Sequence, residues 1–177
     1  MNTASGRRGE LKKSGGGRVP LMFLWLALTT GWLVSIFSVI EEMCMVSACR
    51  DTTGFTVFGY NMGWFGIAYF SLILMALWLR KKDSRMDWLL SALIFSAIGA
   101  EFRLLWIQKY VIGGWCPLCV TICCALFVAG LLLLIEKVRM TAAGQEHVKG
   151  LLVWLALMVA TAAIGLASAV TGVKALY

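Results

Sequence analysis

Six cysteines are the residues of this chain best suited to chemistry, and four of them form two spaced pairs. The loop pair is Cys44 and Cys49 in "CMVSAC", and the CPLC pair is Cys116 and Cys119 in "GGWCPLC". Paired thiols at such spacings can exchange disulfide bonds or ligate zinc. The choice between these chemistries depends on the elements that position the two pairs.

Composition indicates the class of protein. Apolar residues make up 60% of the 177 residues, charged residues only 14%, and the mean hydropathy is +0.84, which exceeds the usual range of water-soluble domains. A helix needs about 20 apolar residues to cross the hydrocarbon layer. Five stretches are long enough: residues 21 to 40, 62 to 79, 88 to 108, 115 to 135 and 150 to 173. They lack the alternation of barrel strands, so the predicted fold class is all-α, a polytopic membrane helix bundle.

Lys and Arg residues predict the orientation, because cytoplasmic segments of membrane proteins retain them. Twelve lie in the first twenty residues, in "RKKDSR" and in the segment after the fourth stretch, whereas three lie on the other side. The N-terminus is therefore predicted to be cytoplasmic and the C-terminus periplasmic. Residues 1 to 19 are predicted to be a flexible basic tail, and residues 20 to 177 one transmembrane domain. The net charge of +7 then reflects topology rather than nucleic-acid binding.

This topology brings both pairs to the same, non-cytoplasmic side of the membrane. In a bacterium that side is the periplasm, where disulfides form and persist. Pro117 suits the first position of a helix, where its missing N–H costs nothing, so Cys116 is predicted at the N-cap of the fourth span. The helix dipole favours a thiolate there, and Cys119 follows one turn later on the same face. The pattern favours redox chemistry over zinc, which would need all four thiolates to converge.

Four other residues inside the predicted spans are of types that can take part in chemistry, but each of them can also serve only in packing. Cys123 shares the face of the CPLC pair and Cys124 points elsewhere, but an unpaired cysteine in hydrocarbon behaves as a small apolar residue. Glu101 and Arg103 are charges within the third span, where function is the default hypothesis. Because they are two residues apart they face different directions, with Glu101 towards the bundle interior, and no mutual ion pair is expected.

The order of the two pairs and three sequence segments together resemble the vitamin K epoxide reductase family, including its bacterial members that make disulfides. The segments are "CMVSAC" after the first span, "TVFGYNMGWFGIAYFSL" entering the second and "QKYVIGGWCPLC" entering the fourth. The resemblance covers about residues 20 to 172. It implies a four-helix core around a quinone site, with a fifth transmembrane helix, in the inner membrane of the cell.

The resemblance also implies an electron relay that ends on a quinone, either ubiquinone or menaquinone. A reduced periplasmic thioredoxin-like protein would attack the loop disulfide, with Cys44 as the contact residue. Cys49 would then exchange with Cys116, and Cys119, nearest the cofactor, would pass electrons to the quinone. Each exchange is the attack of a thiolate on a disulfide, and the potentials of donor and acceptor set its direction.

A quinone site needs an apolar slot with a few polar contacts. Its candidate residues are Phe58, Phe65 and Trp115 as aromatic walls, Asn61 as a polar contact, and Thr52 or Thr53 as the hydroxyl that the resemblance implies in the loop. Packing, interfacial belts and helix capping are the alternative roles of these residues. The chain departs from the family where it has Tyr60 and Asn61, because bacterial members commonly have a proline soon after the "FG".

Two other functions stay open at this point. The chain could be a reductase of the same fold that acts on a vitamin K-like epoxide, or a non-enzymatic membrane subunit with structural disulfides or a zinc site. Because the chain ends at Tyr177, soon after the fifth span, a thioredoxin-like partner is expected to be a separate protein. Replacement of Cys49 by alanine should block a relay specifically, but should unfold a protein in which the cysteines are structural.

Overall fold

Five α-helices form the architecture of the computed structural model, which describes the backbone of residues 18–43, 55–57, 60–80, 85–142 and 148–175. The helices are α1 (Arg18–Met43), α2 (Met62–Leu79), α3 (Arg85–Ile107), α4 (Pro117–Ala142) and α5 (Val148–Gly172). A π-helical turn, Gln108–Ile112, continues α3. Each predicted span coincides with one helix, although several helices extend a few residues further, and the all-α membrane bundle is confirmed.

Four of the helices, α1, α3, α4 and α5, are long and apolar enough to cross a membrane. Helix α2 is equally apolar but shorter, and at about 1.5 Å per residue its 18 residues rise somewhat less than the ~30 Å of a hydrocarbon layer. Large apolar side chains are exposed along the outside of the bundle, for example Met22, Leu26, Trp78, Leu152 and Val159. This apolar exterior is compatible with a lipid bilayer, and the chain is a multi-pass membrane protein.

Helices α1 to α4 close into a four-helix ring. Helix α1 packs against α2 and α4, and α3 packs against the same two helices from the opposite side. The buried centre of the ring includes Leu28, Ile73, Leu90, Ile94 and Leu126. Helix α5 lies outside the ring, mainly against α3. The predicted arrangement of a four-helix core with a fifth helix is therefore confirmed.

Glycines allow α5 to approach α3 at backbone contact. A Cβ atom at Gly99 would overlap the carbonyl group of Ala162, and one at Gly165 would overlap the carbonyl group of Ser96. Small residues at such positions let transmembrane helices pack by van der Waals contact, because water cannot drive their association in lipid. The hydrogen bond between Trp154 and Ser91 lies near the start of both helices and the glycine contacts lie further along both, so α3 and α5 run in the same direction.

An ion cluster joins three helices at one end of the bundle. Arg80, just after α2, forms ion pairs with Asp87 of α3 and with Glu136 of α4, the latter at 2.6 Å. Beside it, Trp154 of α5 donates a hydrogen bond from its ring nitrogen to the Ser91 hydroxyl, which itself donates to the Asp87 carbonyl. We call this end of the bundle the Arg80 end, and the opposite end, where α4 begins, the CPLC end.

A small antiparallel sheet lies at the CPLC end, and the sequence did not predict it. Its strands are β1 (Phe55–Val57), β2 (Tyr60–Asn61) and β3 (Val173–Ala175), in the order β2-β1-β3. Strands of two or three residues are too short to show a periodic pattern, and the predicted fifth span includes Val173, the first residue of β3. The sheet connects the start of α2 with the end of α5.

Candidate functional site

The CPLC pair lies at the first turn of α4. The helix begins at Pro117, and the carbonyl oxygen of Cys116 accepts the first helical hydrogen bond from the N–H of Val120, at 3.1 Å. Cys116 is therefore the N-cap residue, as the proline predicted. The residue is 4% exposed, so the sulfur is shielded although the helix begins near the end of the bundle.

Gln108 connects the end of α3 to this first turn, and it was not among the predicted site residues. Its backbone carbonyl accepts hydrogen bonds from the N–H groups of Gly113 and Gly114, which close the π-helical turn. Gly113 has a φ of 74°, in the left-handed region that glycine adopts without steric penalty. Gln108 is 2% exposed, and its Oε1 accepts a hydrogen bond from the N–H of Cys116, at 3.3 Å.

The same glutamine side chain also hydrogen-bonds the thiol of Cys119. One residue thus contacts both members of the CPLC pair, through the backbone of Cys116 and the sulfur of Cys119. A π-helical turn is uncommon and frequently occurs at functional sites. The signal that could have identified Gln108 is a neutral amide inside an apolar stretch, eight residues before Cys116.

The cysteines differ in their bonding state. Cys116 is disulfide-bonded, whereas Cys119, Cys123 and Cys124 carry free thiols. The sulfur that bonds Cys116 therefore belongs to none of these three residues. The disulfide joins the CPLC pair to another segment of the chain, and the second thiol of the pair remains free one turn away.

Glu101 of α3 lies near the free thiols. Its carboxyl group interacts electrostatically with Cys119 and with Cys123. Its Oε2 atom is buried and has no hydrogen-bond partner among the described residues. Among the described residues, Arg103 forms no ion pair with Glu101. The Arg103 guanidinium instead lies over the Trp106 ring, 4.5 Å from its centroid. The expected separation of these two charges is confirmed.

The two deeper cysteines also lie as their spacing predicted. Cys123 is buried on the side of α4 that carries the CPLC pair, and Cys124 is exposed. Among the described residues, no group of three or more His, Cys, Asp or Glu side chains is placed to hold a metal ion. The described thiols are thus arranged along one helix next to a carboxyl group.

The candidate quinone-binding residues are only partly within the described structure. Phe65, in the first turns of α2, is 43% exposed and stacks on Tyr69 with 5.9 Å between ring centroids. Trp115, which directly precedes the CPLC pair, is 59% exposed. Asn61 belongs to β2, and its side chain is not described. The remaining predicted site residues lie outside the described residues: Cys44, Cys49, Thr52, Thr53 and Phe58.

A quinone is an apolar ring with two polar oxygens, and the described residues are compatible with such a group. The rings of Phe65 and Trp115 are not enclosed in the protein core. The buried Oε2 of Glu101 is a polar atom without a partner among the described residues, and it belongs to a carboxyl group that interacts with the Cys119 thiol. Aromatic walls and a few polar contacts are the usual composition of a cofactor site.

Comparisons of this chain with protein-family models, curated proteins and solved structures find no match. The family resemblance therefore depends on the quoted sequence segments and remains a hypothesis.

Proposed function

We propose that this protein is a membrane thiol-disulfide oxidoreductase. It reoxidises a periplasmic thioredoxin-like protein and passes the electrons through two cysteine pairs to a quinone, which supports disulfide bond formation. The observation that carries the proposal is the bonding state of the CPLC pair: Cys116 is disulfide-bonded outside its own pair while Cys119 is a free thiol.

Thiol-disulfide exchange starts from a disulfide that has a free thiol beside it. Exchange needs a thiolate that can reach one sulfur of an existing disulfide. Cys119 is one turn from Cys116 on the same helix, and Gln108 hydrogen-bonds both residues. A purely structural disulfide would not require a free thiol held in this position.

The proposed relay is a balanced sequence of exchanges. Cys49 attacks Cys116 of the oxidised CPLC pair, the Cys49–Cys116 bond forms, and the electron pair of the broken bond leaves on Cys119. Cys44 then attacks Cys49, which regenerates the loop disulfide and releases Cys116 as a thiol. The described bonding of Cys116 matches the middle of this sequence, in which the CPLC pair holds one disulfide to another segment.

Oxidation of the reduced CPLC pair removes two electrons and two protons. A quinone bound beside Cys119 would be the acceptor of these electrons and protons. Phe65 and Trp115 would hold its ring, and Asn61, Phe58, Thr52 and Thr53 are the further candidates from the sequence. The hydrogen bond from Gln108 orients Cys119.

The distribution of charge supports the proposed orientation in the inner membrane. Most of the basic residues belong to the tail and to the loops at the Arg80 end, which is therefore the cytoplasmic end. The CPLC end then faces the periplasm, where a thioredoxin-like partner can reach the loop pair. The lipid bilayer surrounds the apolar exterior.

The test is quinone reduction by the purified protein with a reduced thioredoxin-like donor. Wild type should turn over, Cys119→Ala and Cys49→Ala should lose turnover while remaining folded, and Cys124→Ala is the matched control that should keep it. Absence of turnover in folded wild-type protein with both quinone classes, together with bound zinc, would refute the proposal and favour a structural site.

A further inference from the structure

Thiol exchange within the CPLC pair requires a proton to move at Cys119. The sulfur of Cys119 must lose a proton before it can attack Cys116, and it must gain one when it leaves as a thiolate. Cys119 is half-buried in the first turns of a membrane helix. Water has poor access to such a site, so a side chain of the protein is needed to exchange the proton.

Glu101 is the carboxyl group that the structure provides at this place. It interacts electrostatically with Cys119 from the neighbouring helix α3. Its Oε2 atom is buried and makes no hydrogen bond among the described residues. Charged side chains inside transmembrane helices are costly, and those that occur usually mark proton or ion pathways. A structural carboxyl would be expected to have a partner that compensates this cost.

The other ionisable groups around Glu101 do not provide that partner. Within the described part of the chain, the ion pairs of the bundle involve Arg80, at the opposite end. Arg103 lies over Trp106, the Tyr69 hydroxyl donates to the carbonyl of Leu93, and Lys109 lies over the ring of Tyr110. Helix α5 contributes only Lys149, near its start at the Arg80 end. Among the described residues, Glu101 interacts electrostatically with the thiols of Cys119 and Cys123.

We propose that Glu101 is the proton acceptor and donor for Cys119 during disulfide exchange. This inference rests on the proposed relay and adds to it a residue that the relay itself does not specify. When Cys119 attacks the Cys49–Cys116 disulfide, the thiol proton passes to the Glu101 carboxylate, the Cys116–Cys119 bond forms, and the electron pair leaves on Cys49, which water protonates. In the reverse direction the Glu101 carboxylic acid protonates the departing Cys119.

The experiment follows this exchange without any quinone. The variant background Cys44→Ser, Cys123→Ser and Cys124→Ser leaves Cys49, Cys116 and Cys119, which hold one disulfide and one thiol. Attack by Cys119 releases Cys49, and excess water-soluble maleimide traps the released thiol irreversibly. Maleimide also alkylates free Cys119, so peptide mass spectrometry follows both sites, and the initial rate of Cys49 labelling at saturating maleimide, while Cys119 is still unlabelled, is then the rate of Cys119 attack.

Replacement of Glu101 by glutamine in this background should slow Cys49 labelling about 100-fold at neutral pH, the usual magnitude of general-base assistance. The rate with Glu101 should level off with rising pH, whereas the rate of the Glu101→Gln variant should continue to rise with hydroxide concentration. Glu101→Asp should recover part of the rate. Arg103→Gln, two residues away on the same helix, is the matched control and should keep both the rate and the pH profile.

A structural role for Glu101 makes a different prediction. Glutamine has nearly the same size, so the proposal expects the Glu101→Gln variant to unfold at the same temperature as its parent or at a higher one. An unchanged labelling rate and pH profile would overturn the proton-transfer role, and so would a lowered rate that follows a lowered unfolding temperature. If Cys119→Ser does not abolish Cys49 labelling in the parent, the relay itself fails.

Discussion

The side-chain Oε1 of Gln108 lies 3.3 Å from the backbone nitrogen of Cys116 and accepts its hydrogen bond. The backbone carbonyl of the same glutamine closes the π-helical turn that ends α3. Gln108 therefore fixes the direction in which the chain leaves α3 and the orientation in which α4 begins. The position of the CPLC pair relative to the bundle depends on this single buried amide.

Replacement of Gln108 by methionine should destabilise the protein and slow the chemistry of Cys119. Methionine has a similar volume, so the change chiefly removes the hydrogen bonds. The buried N–H of Cys116 then lacks an acceptor, which costs about 1–3 kcal/mol. Unfolding in mixed detergent micelles measures this free energy, and the rate of Cys119 alkylation measures the loss of the bond to its sulfur. Thr121→Val changes an exposed hydroxyl in the same turn and should alter neither quantity; an equal effect of both variants would contradict a specific role for Gln108.

Gly113 and Gly114 offer a matched pair for the connection between α3 and α4. Alanine at Gly113 must adopt a φ near 74°, which costs about 1–2 kcal/mol for a residue with a Cβ atom. A methyl carbon added at either position would meet no other atom within 4 Å, so space is not the difference between them. Gly113→Ala should lower the free energy of unfolding by this amount and Gly114→Ala should not. Equal stability of the two variants would show that the left-handed conformation is not needed.

Cys119→Ser should preserve the disulfide of Cys116 to another segment in more molecules, because one of the two thiols that can displace it is gone and only Cys44 remains to attack it. Non-reducing peptide mass spectrometry of protein purified from cells should recover this cross-link in a larger fraction of molecules than in wild type. Cys123→Ser, one turn deeper on the same face, is the control and should leave the wild-type distribution. A cross-link of unchanged abundance in Cys119→Ser would indicate that the disulfide is not an intermediate.

The contact between α3 and α5 should tolerate no side chain at its two glycines. Gly99→Ala and Gly165→Ala each place a methyl group against a backbone carbonyl, which cannot move without separating the helices. Overpacking of this kind costs about 1–3 kcal/mol. Gly150→Ala, also in α5, meets open space and should be neutral or slightly stabilising, because alanine is the better helix former. The test is to compare the free energies of unfolding of the three variants in detergent. A stable Gly99→Ala variant would contradict the close contact between α3 and α5.

The Arg80 cluster should contribute to stability and not to the thiol chemistry. Arg80→Gln leaves Asp87 and Glu136 without their shared cation, at a cost of about 1.5–3 kcal/mol for charged hydrogen bonds that are only partly exposed. Arg139→Gln removes a charge near the end of α4 and should cost less than about 0.5 kcal/mol. Thermal unfolding measures the effect of each variant on stability, and the rate of Cys49 labelling measures its effect on the thiol chemistry. Loss of labelling in a folded Arg80→Gln variant would contradict the independence of the two ends.

The sequence alone was sufficient for features that depend on local composition. The class of protein and the five helices follow from apolar stretches of sufficient length, because each helix satisfies its own backbone hydrogen bonds in lipid. The N-cap position of Cys116 follows from Pro117 beside it. The exposure of Cys124 and the burial of Cys123 follow from helical spacing.

Only the tertiary structure decided which residues meet across helices. Gln108 reaches Cys116 because a π-helical turn and a left-handed glycine reverse the chain between them. Glu101 comes near Cys119 because α3 packs beside α4, and no local pattern in either helix specifies that neighbour. The partner segment of Cys116 and the pairing of α5 with α3 likewise depend on packing between distant segments. Helix formation is a local property of the chain, whereas the site is a property of how the helices are arranged.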